Sequence, residues 1–285
     1  MTLQDALAAA RARLVAAGIA EAEARVDVDL FARTILGWDA AKLLSELRGS
    51  VPSGLEPQFT EWLDRRATHE PSAYIVGVRE FWGLDLVVTP AVLIPRPCTE
   101  LIVEEAVGLL TSHPGWRVAE IGTGSGCIAV SVAHSVPGVR IVATDLSGDA
   151  LAVAGANAEQ HGVADRIRFV ETSYLDGLPG PFDLLLANPP YVKAGAKPAL
   201  SRVVRHEPDV ALFGGDTGLR DIGGVLDAAE ATLVPGGWLV MEFGYGQEED
   251  VRTLIEARTG FSVVRVRDDI EGIARTAVIF RSEAT

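Results

Sequence analysis

Asn188-Pro189-Pro190-Tyr191 ends an apolar run, Leu184-Leu185-Leu186-Ala187. Neither proline carries an N–H, so the backbone of this turn offers carbonyls without neighbouring donors. The Asn188 side chain adds another oxygen. Two acceptors on a stiff turn suit a flat N–H or NH₂ group, and Tyr191 can stack on that plane. A second constellation lies upstream, at Val118-Ala-Glu-Ile-Gly-Thr-Gly-Ser-Gly126. A short apolar run ends there in a glycine-rich turn, and an apolar helical pattern from Cys127 follows at once. Gly122, Gly124 and Gly126 tolerate positive φ and let a ligand approach the backbone closely. The helix that starts there offers unpaired N–H groups. About twenty residues on, Ile141-Val142-Ala143-Thr144-Asp145 reads as a second strand ending in an acid, placed to accept both hydroxyls of a ribose. The third glycine comes one residue too early for the dinucleotide fingerprint, which favours a mononucleoside cofactor over NAD or FAD.

These residues need a scaffold. From residue 116 the chain alternates strand and helix, the pattern of a parallel sheet covered on both faces. Strands are predicted at about 117–121, 139–144, 166–170, 182–187, 237–243, 261–267 and 274–280. The stretch 188–217 is rich in Pro, Gly and Asp and has little periodicity. A loop that long, after the fourth strand, sits where ligands bind in such sheets. Residues 2–70 read as helical: a first helix capped by Thr2 with Asp5 and ending at Gly18, a second over 20–36, a third capped by Asp39, and a fourth over about 55–68. Such a bundle either positions a substrate or partner, or is a packing appendage. Tyr74–Gly77 and Phe81–Val88 suggest two short strands around a glycine turn. Pro95 and Pro97 bracket Arg96 and hold it extended, as a stiff wall beside a pocket. The resulting expectation is three parts: helical residues 1–72, a hairpin linker over 73–96, and a catalytic α/β domain over 97–285.

The chain has 285 residues, 48% of them apolar, and a formal net charge of −14. A sizeable core is expected, and so acidic a surface argues against nucleic acid as the main partner. The only cysteines, Cys98 and Cys127, do not make a disulfide framework,. No signal-peptide pattern and no apolar run of membrane-spanning length is read, so the expected location is cytoplasmic with no membrane partner. His69, His113, His134 and His161 lack metal-ligand spacing, and no metal is expected. Oligomeric state is not legible.

Taken together, the glycine turn, the ribose acid and Asn-Pro-Pro-Tyr resemble the S-adenosylmethionine-dependent amino-methyltransferases. The resemblance narrows with Glu70-Pro71, Tyr74-Ile75, Gly77 and Glu80-Phe81, with Leu93-Ile94-Pro95-Arg96-Pro97 and Thr99-Glu100, with His206-Glu207-Pro208 and Ala211-Leu212, and with Gly236-Gly237, Glu242, Gly244 and Gln247. Over almost its whole length the chain is similar to the protein-(glutamine-N5) methyltransferases that modify peptide chain release factors. That resemblance implies a helical N-terminal domain, a hairpin linker and a Rossmann-like class I domain whose seven-stranded mixed sheet has an antiparallel seventh strand. It implies S-adenosylmethionine as cofactor, with S-adenosylhomocysteine as product. Gly122, Thr123, Gly124, Ser125 and Gly126 would line its methionine part, Asp145 would hold the ribose, and Tyr174 would lie against the adenine. Asn188 would bind cofactor and substrate, with Pro189, Pro190 and Tyr191 framing the substrate.

Two positions depart from the family pattern. Cys98 stands where the family usually has an acid, and Ser173 where it has Asp before the adenine-stacking aromatic. A Ser173 hydroxyl can still bond an adenine amine, and Glu171 or Asp176 could substitute. These departures motivate an alternative substrate, a small aromatic such as an indole methylated on carbon or nitrogen. A release factor protein remains the first expectation, and direct contact with nucleic acid is not expected.

Overall fold

The structure is a computed structural model that describes residues 1–282, so the last three residues of the expected catalytic domain lie outside it. It divides into two compact units, 1–77 with 201–206, and 78–200 with 207 onward.

The first unit holds α1 (Leu3–Ala16), α2 (Glu21–Leu36), α3 (Ala40–Glu46), α4 (Gln58–Ala67) and α5 (Ser72–Val76). The predicted caps are present. Thr2 accepts the Asp5 N–H at 3.2 Å while the Asp5 carboxylate accepts the Thr2 N–H, and Asp39 accepts from Lys42 N at 2.7 Å,. Gly37 closes α2 in the left-handed region at φ 64°,. Leu3, Leu7, Leu14, Val28, Phe31 and Leu63 share one core. Arg66 is buried within this unit, bonded to Asp27 at 2.6 Å and to Glu23. The strand expected over Tyr74–Gly77 is instead the helix α5, stopped by Gly77 at φ 82°. Its Ile75 joins the helical core, and a short apolar run carries no period of its own to choose between helix and strand,.

The second unit opens with the hairpin β1 (Val78–Phe81) and β2 (Leu84–Val87), turned at Trp82-Gly83. Then come α6 (Glu100–Ser112), β3 (Arg117–Ile121), α7 (Cys127–Ser135), β4 (Arg140–Asp145), α8 (Gly148–Gln160), β5 (Ile167–Glu171) and β6 (Phe182–Ala187). They are followed by α9 (Asp209–Leu212), α10 (Arg220–Thr232), β7 (Leu233–Glu242), α11 (Glu248–Glu256), β8 (Phe261–Asp268) and β9 (Ala274–Arg281). The hairpin is fastened to α8: Val87 N donates to Asn157 Oδ1 at 2.7 Å, and Asn157 Nδ2 donates back to the Val87 carbonyl at 3.0 Å.

The seven strands run in the order β5-β4-β3-β6-β7-β9-β8, and β9 is antiparallel to both neighbours, as expected. Two apolar clusters cover the sheet, one joining α6 and α7 to its strands and the other joining α10 and α11. Strand order reverses between β3 and β6, and the crevice at the carboxyl ends of two such strands is where α/β sheets take ligands. Ile121 is in register with both Thr144 and Ala187. The glycine turn, Asp145 and Asn188 therefore leave three adjacent strands at one level. β7 begins four residues earlier than predicted, with Pro235 and the Gly236-Gly237 pair inside it. The register shift against β6 between Phe182 and Leu184 accommodates them,.

Candidate active site

One cavity opens at that reversal point. Its walls include Gly122, Thr123, Gly124 and Ser125 after β3, Asp145 after β4, Ser173 and Tyr174 after β5, and Asn188, Pro189 and Pro190 after β6. Arg96 and Thr99 close a further side. Sequence positions spread over more than ninety residues thus meet, because parallel strands deliver every carboxyl end to the same rim.

The glycine turn is shaped as predicted. Gly122, Gly124 and Gly126 have φ of 73°, 54° and 79°. A Cβ on Gly122 or Gly124 would meet no protein atom within 4 Å, so the turn leaves room beside its backbone,. Gly126 departs from its expected role. It does not line the cavity, and a Cβ there would press on Ala154 Cβ at 3.1 Å, so this glycine lets α7 pack on α8. The Asp145 carboxylate accepts Gly124 N at 2.8 Å and Ser147 N at 3.0 Å. Each carboxylate oxygen has a second lone pair still available.

Tyr174 adopts φ +46°, a costly conformation for an aromatic residue that surrounding structure must hold in place,. Thr144 Oγ1 donates to its carbonyl at 2.6 Å, and its own hydroxyl donates to Asp221 Oδ1 at 3.0 Å. The ring lies over Gly224, where any side chain would overlap it. Burial, then Asp221, pushes the phenol up to about 12, so it stays protonated. Arg220 and Asp221, which no local motif singled out, form an ion pair on this wall.

Asn188 Nδ2 donates to Thr99 Oγ1 at 3.1 Å, and Thr99 Oγ1 donates to Glu242 Oε2 at 2.7 Å. Tyr191 is not a cavity wall, contrary to the stacking role read from sequence. Its hydroxyl donates to Glu242 Oε1 at 3.1 Å, and its ring faces Gly244. Gln247 Nε2 donates to the Tyr191 carbonyl at 3.1 Å and so clamps the turn from behind. Burial, reinforced by Glu242, pushes the Cys98 thiol up to about 11, which makes it a poor nucleophile,. The loop after Tyr191 is not featureless. Val192 pairs with Phe213, and α9 lies between Pro208 and Phe213. Glu207, fully buried, accepts Ile94 N at 3.2 Å and pairs with Arg96, tying the loop to the proline-bracketed wall.

Glu120, beneath the glycine turn, is fully buried. One oxygen accepts Thr123 Oγ1 at 2.7 Å and Ala129 N at 3.1 Å; the other has no partner among the described residues. Burial pushes its carboxyl up to about 8, against the lowering effect of those bonds. A carboxyl raised on folding stabilises most below its unfolded pKa and loses that contribution as pH climbs to the folded value. The melting temperature of the wild type is therefore expected to fall between about pH 4.5 and 8 relative to Glu120→Gln, measured in parallel scans. Parallel pH profiles for the two proteins would show that Glu120 does not titrate there.

Among the described residues, no cluster of three His, Cys, Asp or Glu side chains could hold a metal, and no helix is long and apolar enough to cross a membrane.

An α/β sheet of this order, with its ligand crevice at the reversal, is the fold of the class I methyltransferases, and the family matches and relatives that follow make the protein an enzyme of that class. Residues 98–216 match the family described as "Methyltransferase small domain", and 5–77 match "PrmC N-terminal domain". A methyltransferase of known structure from Pyrococcus furiosus shares the fold at TM-score 0.52 and 22% identity, over 71% of this chain and 90% of that one. The chain is 39% identical to the release factor glutamine methyltransferase of Bradyrhizobium diazoefficiens, over 96% of its length and 93% of the relative's. It is 38% identical to that of Moorella thermoacetica, over 99% and 100%. The chain belongs to the release factor glutamine methyltransferase family.

Proposed function

We propose that this enzyme transfers a methyl group from S-adenosylmethionine to the side-chain amide nitrogen of a glutamine in a peptide chain release factor. One observation carries the reading: the glycine turn and the Asn188-Pro189-Pro190 turn line a single cavity. The donor set fits the cofactor. Gly122 and Gly124 leave open space at their α-carbons, Asp145 offers an acceptor that would suit a ribose, and Tyr174 a flat wall that would suit an adenine. Ser173 also lines the cavity, so its hydroxyl is available where the family has an acid.

When bound, S-adenosylmethionine supplies an electrophilic methyl group on a sulfonium. An amide nitrogen is a weak nucleophile because its lone pair is delocalised. Asn188 Oδ1 and the Pro189 carbonyl accept its two N–H bonds, fix the amide plane, and bind more strongly as nitrogen becomes positive. By holding cofactor and amide in one cavity, the two turns would supply a further share through orientation; well-oriented pairs gain about 7–11 kcal/mol. The cofactor held there would give its methyl to the amide nitrogen and leave as a neutral thioether, and the methylated amide would release its extra proton to water. No strong base is required, consistent with the neutral Cys98 thiol.

Asp145→Ala is expected to weaken binding of the demethylated cofactor about ten- to a hundredfold, the worth of one hydrogen bond to a charged group. Calorimetry reads this directly, and unchanged affinity would remove Asp145 from the site. The substrate is tested by offering labelled S-adenosylmethionine with purified release factor and, separately, with a soluble metabolite extract. Label on a glutamine of the protein supports the proposal; label only in small molecules overturns it. The full-length relatives named above do not favour the small aromatic substrate.

A further inference from the structure

We infer that Thr99 and Glu242 are positioning residues that decide which end of the Asn188 amide faces the cavity. The inference rests on the reading of Asn188 just given. Glu242 and Thr99 are both fully buried. Among the described residues, three groups able to donate reach the Glu242 carboxylate: Thr99 Oγ1 at 2.7 Å, Tyr191 Oη at 3.1 Å and, more weakly, Cys98 Sγ at 3.8 Å. Burial raises the Glu242 carboxyl, and these three bonds oppose that shift. Ionised, Glu242 only accepts, and the single hydroxyl proton of Thr99 is then committed to it. Toward Asn188, Thr99 has only lone pairs to show.

An Asn side chain is nearly symmetric in shape, and its two orientations differ only in what they bond. Facing a hydroxyl that has no proton to give, Asn188 must present its NH₂, and Nδ2 lies 3.1 Å from Thr99 Oγ1. Oδ1 is then the end left for a substrate N–H. The reverse orientation sets oxygen against oxygen at Thr99 and turns an NH₂ toward the incoming NH₂. Both contacts would be lost together. The arrangement is braced through Tyr191, which reaches the other Glu242 oxygen and whose carbonyl is held by Gln247. Glu242 thus acts on the reaction through Thr99, with Asn188 as the residue that meets substrate.

The test is a double-mutant cycle in single-turnover assays with labelled S-adenosylmethionine and purified release factor. Thr99→Val removes the hydroxyl and keeps the shape. It is expected to slow transfer about tenfold, with affinity for the demethylated cofactor unchanged and with Thr99→Ser restoring most of the lost rate. In an Asn188→Ala background, Thr99→Val is expected to cost nothing more, because the residue it orients is gone. Glu242→Gln, which puts an NH₂ among the donors, follows the same pattern and is read in its place where Thr99→Val does not fold. The same loss in both backgrounds, or full rate in Thr99→Val while Asn188→Ala is inactive, overturns the positioning role. Full rate in Asn188→Ala alone overturns the parent reading instead.

Discussion

Asn188→Ala is expected to lower the rate of methyl transfer about a hundred- to a thousandfold, the usual effect of deleting one preorganised polar group at a developing charge. The cofactor's affinity should change far less. Gly122, Gly124, Asp145 and Tyr174 line the same cavity without relying on the Asn188 side chain, and Asp145 is held by the Gly124 and Ser147 amides. Two measurements separate the effects. Single-turnover transfer from labelled S-adenosylmethionine reports the chemical step, and calorimetry with the demethylated cofactor reports binding. Asn188 stands on a turn without N–H donors at 189 and 190, so no neighbouring backbone donor replaces the lost contact,. Asn188 itself lies one residue beyond the Ile121–Ala187 pairing. Unchanged turnover would refute the role assigned to it, and a parallel collapse of cofactor affinity would make it a binding residue only.

The second large effect lies in the helical unit. Arg66→Ala is expected to destabilise that unit by about 3–5 kcal/mol, the cost of removing one member of a buried ion pair. Arg66 exposes 1% of its side chain and Asp27 5%, so without the guanidinium Asp27 keeps a charge away from water. Glu23, 48% exposed, can turn to solvent and adds little to the loss. Arg66 also donates to the Glu70 carbonyl at 3.3 Å, at the approach to α5. Hydrogen exchange followed by mass spectrometry localises the effect: amides of α2 and α4 should lose more than about a hundredfold of protection. A double change, Arg66→Met with Asp27→Leu, should recover much of it, since an apolar pair of similar size often replaces a buried salt bridge without loss. If the single variant kept its protection, the pair would not be holding the helices.

Much of this protein was legible as local pattern. The caps at Thr2 and Asp39, the stop at Gly37, and the alternation of strand and helix from residue 116 are short-range features, and they form where their residues lie. The glycine turn and the Asn-Pro-Pro turn were readable for the same reason: each carries its chemistry within a few consecutive residues. What failed also failed locally. Tyr74-Ile75-Val76 has strand-like residues and a helical fate, because burial against the helical core outweighs the preference of three side chains,.

The chain's own order therefore determined the class of fold, the two turns and the acid between them. Tertiary structure alone decided what each of those residues does. Gly126 serves helix packing because Ala154 approaches it, and Tyr191 points to Glu242 instead of the cavity. The polarity of Asn188 is set by Thr99, 89 positions away, and through it by Glu242, a further 143 from Thr99. Hydrogen-bond direction depends on which proton is already taken. That is a property of the assembled group, and no stretch of sequence carries it.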